Sequence, residues 1–157
     1  MNPEKLEALK KREQAIYKQE ISRGNELKLR VLHDHLYIEH LLERYISTKL
    51  RTTDGLFGQN GLTFEKKLCL AKSFQGLNSE SVDSIRKLNK LRNDLVHKFK
   101  HQPTEAEIDD FGRTFGKAYK EMKGSLVKER HSLLERFCDR LCGQMCCIVV
   151  DAENPPI

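Results

Sequence analysis

The sequence predicts an all-α fold, an antiparallel bundle of five to six helices, and three observations predict it. Apolar residues recur at three- and four-residue spacing in one segment after another, which is the period of a helix with one buried face. No stretch alternates apolar and polar residues as a half-buried strand does. Proline and glycine are scarce, 4 and 9 in 157 residues, so long helices are rarely interrupted.

The elements follow in order along the chain. Residues 1–25 read as a charged helix or arm with a thin apolar stripe at Leu6, Leu9, Ile16, Tyr17 and Ile21, closed by Gly24-Asn25. Such an arm suits packing on a partner better than packing on the core. Residues 26–150 form the main helical domain. Its first helix, 26–50, carries Leu27, Val31, Leu32, His35, Leu36, Ile38, Leu42, Tyr45 and Ile46 at helical spacing. Turn formers at Asp54-Gly55, Gly58 and Asn60-Gly61 make 51–62 a loop. Thr63 caps a short helix with Phe64, Leu68, Ala71 and Phe74 on one face, and Gly76 stops it. Asn78 or Ser79 starts a helix over 80–99, with Ile85, Leu88, Leu91, Leu95 and Phe99 as its apolar face.

After Pro103, Thr104 and Glu107 have the spacing of a capping box. The helix they open carries Ile108, Phe111, Phe115 and Tyr119, and Gly112 and Gly116, four apart, allow a neighbour to come close. Gly124-Ser125 breaks the chain before a last helix over 126–149, whose apolar positions include Leu134, Phe137, Leu141, Met145 and Val149. Residues 151–157, with Pro155-Pro156, read as a loose tail.

Composition narrows the function classes. The length suits one domain with one core. The longest apolar runs, such as Cys146–Val150, are far too short to span a bilayer, and Met1–Lys5 opens into charged residues without the apolar stretch of a signal peptide. The expectation is a cytoplasmic protein with no membrane partner. Net charge is +5, which is compatible with a polyanion such as RNA and equally with an ordinary solvated surface. Of the five cysteines, Cys138, Cys142 and Cys146 share a helix face. No histidine interleaves them and no pair has the two-residue gap of a zinc knuckle, so packing is the better reading of these thiols and no metal or cofactor is expected. Together with Cys69 and Cys147 they are expected to be reduced in the cell.

The residues that carry chemistry lie on helix 80–99. Leu88, Leu91 and Leu95 point one way, while Arg86, Lys90, Asn93 and His97 share the other face at spacings of three and four. Arg92 precedes His97 by five residues, which on a regular helix separates them by about 140°. They converge only if the helix distorts near its end or if a second copy of the helix supplies the other group. An arginine fork binds phosphate and stabilises developing charge. An imidazole titrates near neutrality and serves as general acid or base. Asparagine orients a hydroxyl or a phosphate oxygen. RNA brings its own nucleophile, the 2′-hydroxyl, so these groups need no metal. The bland alternative is that Arg92 pairs with Asp94 or a glutamate and that His97 caps a helix end.

Arg92-Asn93, three intervening residues and His97 resemble the signature of the HEPN superfamily. The longer stretch from Leu62-Thr63-Phe64-Glu65-Lys66-Lys67 through Gly76-Leu77 to Ile85-Arg86-Lys87-Leu88 and Leu91-Arg92-Asn93 resembles its mannitol-operon repressor-like branch, in which a loop, a short lysine-containing helix and the Arg-Asn helix follow in that order. The resemblance covers roughly residues 26–115. It implies a homodimer formed through the motif helices, and in many members a metal-independent RNase of toxin or defence type whose arginine and histidine from both subunits line one cleft. Carried over by position, the site residues are Arg92, Asn93 and His97. The family often adds an acidic group from an earlier helix, for which this chain offers Asp34 and Glu39, beside His33, His35 and His40.

Two functions stand at this point. One is a metal-independent RNA endonuclease or RNA-binding protein using Arg92, Asn93 and His97 at a dimer cleft. The other is a non-catalytic regulator that uses the same bundle to bind a protein partner. An acidic group beside His97 would favour the first.

Overall fold

The computed structural model describes residues 3–98, 101–125 and 130–155, and these residues form six helices and no strand. They are α1 (Pro3–Lys49), α2 (Phe64–Ser73), α3 (Ser79–His97), α4 (Glu105–Arg113), α5 (Lys117–Gly124) and α6 (Arg130–Glu153). Among the described residues no helix is long and apolar enough to cross a membrane. The apolar stripe expected at Leu6, Leu9, Ile16, Tyr17 and Ile21 lies outside the described side chains, and Phe99 and residues 126–129 lie outside the described residues.

The helical stop expected at Gly24-Asn25 is absent. α1 runs through it as a single helix of 47 residues, about 70 Å long at 1.5 Å per residue. A glycine inside a helix costs about 1 kcal/mol, and one such residue does not outweigh a helix already formed on both sides of it. Among the described side chains the buried positions begin at Leu27.

From there the expected positions fill the core: Val31, Ile38, Leu42, Tyr45 and Ile46 of α1, Leu68 and Ala71 of α2, Ile85, Leu88, Leu91 and Leu95 of α3, Ile108 and Phe111 of α4. Leu134, Phe137, Leu141, Met145 and Val149 of α6 are fully buried beside them. Leu36 is a correction: it is 62% exposed. It follows His35 by one residue, about 100° around the axis, and so leaves the buried stripe.

Three local differences have clear causes. The helix expected over Phe111, Phe115 and Tyr119 breaks at Thr114–Gly116, where Gly116 adopts φ +54°. The break lets Phe111, Phe115, Tyr119 and Phe137 gather with ring centroids 5.4–6.0 Å apart. Gly112 makes the close approach expected of it, since a Cβ there would lie 2.4 Å from the Phe137 ring, whereas Gly116 serves the turn. The tail expected to be loose from Asp151 stays helical to Glu153, because Arg44 of α1 holds that carboxylate with two bonds of 2.9 and 2.6 Å.

The direction of the helices also corrects the expected antiparallel order. Arg30–Asp139, Tyr37–Cys146 and Arg44–Glu153 advance together along α1 and α6, so these two helices run parallel. α2 runs with them, from Phe64 beside His35 to Gly76 beside Tyr45. This requires the loop between α1 and α2 to carry the chain back along α1. α3 runs the other way, with Asn89 beside His35, and packs antiparallel to α4 through Ser84–Thr114 and Lys87–Asp110.

Candidate functional site

α3 starts where the asparagine expected to cap it lies: the Asn78 side chain accepts the Ser81 N–H at 2.7 Å. It remains α-helical through His97, and the Lys98 N–H closes the last turn on the Asp94 carbonyl at 3.1 Å. Arg92 and His97 therefore keep the angular separation of a regular helix. Distortion of the helix end does not bring them together within one chain.

Arg92 is half-buried and donates from Nη1 to Asn93 Oδ1 at 3.0 Å, while its Nε is buried with no hydrogen-bond partner among the described residues. Asn93 is half-buried and His97 exposed. Lys90 and Arg86 are exposed, and Arg86 faces Asp83 at 3.8 Å. The alternative pairing of Arg92 with Asp94 does not form: Asp94 binds Lys98 at 2.6 Å.

Beside Arg92 lies a polar network that joins three helices. His35 of α1 is 96% buried by its 4% exposure, stacks on Phe64 with ring centroids 4.2 Å apart, and lies 3.0 Å from Asn89 Oδ1 through Nε2. The Asn89 amide nitrogen donates to Glu65 Oε1 at 2.8 Å. With the amide oriented this way, His35 carries its proton on Nε2 and donates it. Burial pushes the His35 pKa below its usual value; the Asn89 bond opposes this and the Arg92 charge adds to it. Glu39, four residues on, acts on the same imidazole but binds Lys67 of α2 at 2.6 Å. Lys67 also reaches Glu43 at 2.5 Å, its side chain only 5% exposed. Asp34 faces the other side of α1, paired with Arg30, which bridges to Asp139 of α6.

Neither Asp34 nor Glu39 is therefore placed beside His97. His33 is exposed and lies 3.8 Å from Asp34. His40 is exposed and lines an open groove with Glu43, Arg44 and Phe57. His35 and Glu39, four apart on α1, both join this network, but His35 bonds Asn89 and Glu39 bonds Lys67 rather than each other. Helical spacing shows Asn89 three residues before Arg92, on the same flank; its partner on another helix has no signature in spacing.

The cysteines of α6 pack as expected. Cys138 is buried and Cys142 and Cys146 half-buried, while Cys69 and Cys147 are exposed and all five are free thiols. Burial, reinforced by the Asp34 carboxylate, pushes the Cys138 thiol well up and that of Cys142 up to about 12. Thiols so held are poor nucleophiles and poor metal ligands. Comparison with family models, curated proteins and solved structures finds no match to the chain.

Proposed function

We propose that the chain is a metal-independent, RNA-directed protein of the HEPN type, acting as a homodimer whose two α3 helices face each other across the RNA. One observation carries the reading: α3 presents a half-buried Arg92 bonded to Asn93 and, one turn on from Asn93, an exposed His97. Since α3 is regular to His97, a second copy is the way to set His97 opposite Arg92. In the reaction, His97 moves the proton of the 2′-hydroxyl or of the leaving oxygen. Arg92 holds the scissile phosphate, and Asn93 fixes the Arg92 fork.

The second reading, a regulator that binds a protein partner without catalysis, is favoured by one observation: both candidate acids are engaged elsewhere, Asp34 with Arg30 and Glu39 with Lys67. The test is degradation of RNA by the purified chain in excess chelator. Cleavage that disappears in His97→Ala supports the nuclease. An RNA left intact under all conditions, with tight binding of a protein partner, moves the conclusion to the regulator.

A further inference from the structure

We propose that Asp94, His101 and Glu107 form a three-ligand site for a divalent ion of the zinc class, fastening the end of α3 to the start of α4. The three residues come from different places in the chain: the last turn of α3, the linker after it, and the first turn of α4. One ligand atom from each lies within 4.8 Å of the other two, and all three residues are half-buried. His101 Nε2 is 3.2 Å from Glu107 Oε1. Ligands about 2.0–2.1 Å from a tetrahedral ion stand about 3.4 Å from one another, so this edge already has the right length.

A second observation points to a ligand independently. His101 Nε2 is a buried atom beside a carboxylate, yet it makes no hydrogen bond among the described residues. It lies 3.2 Å from Glu107 Oε1 without the geometry of a hydrogen bond, as two ligand atoms aimed at a shared point would. The Glu107 carboxylate is held for this purpose by the capping box. Its Oε2 takes the Thr104 N–H at 2.8 Å and the Thr104 hydroxyl at 3.0 Å, leaving Oε1 toward His101. Outer bonds of this kind orient metal-ligating carboxylates.

The Lys98 ammonium, 2.6 Å from Asp94, is 61% exposed on a flexible stem and swings clear when a doubly charged ion arrives. A small groove lined by Lys87, Lys90, Leu91, Asp94, Glu107 and Asp110 lies beside the two carboxylates.

One imidazole with two carboxylates suits zinc better than magnesium or calcium, which take oxygen alone, and a water completes the set. Arg92 and Asp94 are two residues apart, about 200° around α3. The ion therefore sits away from Arg92, and the site stands or falls independently of the RNA reading.

The experiment titrates Zn²⁺ and Co²⁺ into the full chain after chelator treatment, read by calorimetry and by absorption. The expected result is one ion per chain, with cobalt bands free of sulfur-to-metal charge transfer. Loss of a ligand should weaken binding by at least about 10-fold, since even outer-shell changes cost about 10–100-fold. Asp94→Asn and His101→Gln test this with the fold followed by circular dichroism, and Glu107→Gln tests it while keeping the cap, which glutamine also makes. Undiminished uptake by His101→Gln, a thiolate band, or no binding up to about millimolar ion overturns the proposal.

Discussion

His97 is exposed, so its removal should affect chemistry and not folding, whereas Arg92 is half-buried and bonded to Asn93. Loss of a positioned acid–base group typically lowers a rate by about 10²–10⁴-fold. His97→Ala should reduce RNA cleavage by that order with an unchanged melting temperature, Arg92→Ala should reduce it as much with some loss of stability from its buried part, and Asn93→Ala should be milder. The matching DNA, which lacks the attacking hydroxyl, should survive; DNA cut as fast as RNA would exclude the 2′-hydroxyl mechanism. His35 makes a different prediction. Its folded pKa is lowered from the usual 6.5 by burial and by Arg92, so the unfolded chain takes up the proton first. The stability it contributes is full above about pH 6.5 and is lost as the pH falls from there toward the lower folded pKa. The urea midpoint should therefore fall on acidification through this window. The fall should be smaller in His35→Gln, which keeps a donor for Asn89 but does not titrate; an equal fall in both proteins would assign the effect to other groups.

Helix contacts explain which elements tolerate change. Gly76 ends the α2 region not by a left-handed turn but by space: a Cβ there would lie 1.8 Å from the Tyr45 hydroxyl and 2.7 Å from its Cζ. The left-handed residue is Gln75, at φ +61°. Gly76→Ala should thus cost about 1–3 kcal/mol, the usual range for overpacking, and adding Tyr45→Phe should recover part of it in urea denaturation. Lys67→Met should be harsher, because it leaves Glu39 and Glu43 facing each other around a buried methyl. The figure for breaking a buried pair, about 3–5 kcal/mol, is the upper bound, and the partial exposure of the two glutamates lowers it. Much of this level is legible in spacing. The Asn78 cap, the Thr104–Glu107 box and the apolar faces of α3 and α6 all follow from local rules. What spacing does not carry is contact between helices. The Arg44–Glu153 pair extends α6, and the aromatic cluster at Phe111, Phe115 and Phe137 separates α4 from α5. The same limit applies to the site, where Arg92, Asn93 and His97 are visible in one helix while His35, Asn89 and Glu65 meet from three.

At the scale of the whole molecule, parallel packing of α1 and α6 leaves α3 as the helix running against its neighbours, with Arg92 and Val96 on one flank. Val96 is 46% exposed, and on α1 Leu29 and Leu36 are 61% and 62% exposed, one heptad apart on a single face. Apolar side chains so exposed suit an isologous contact, in which the same patch of each copy meets that of the other and residue i touches j while j touches i. Leu36→Glu should therefore turn a dimer into a monomer in light scattering without lowering the melting temperature, because Leu36 contributes nothing to the core. The site itself allows a stricter test. If the groups that act together are Arg92 of one copy and His97 of the other, two inactive chains can restore each other. A dimer of one Arg92→Ala chain and one His97→Ala chain has one Arg–His pair across the cleft intact and the other lacking both groups. Equal amounts that re-associate at random give half mixed dimers, each with one of two pairs working, so activity should return to about a quarter of the parent value. A site contained within one chain predicts none, since every chain in the mixture lacks one group. Mixed dimers demonstrated by mass but inactive would place Arg92 and His97 in the same chain, and the regular geometry of α3 would then leave them too far apart to share a phosphate.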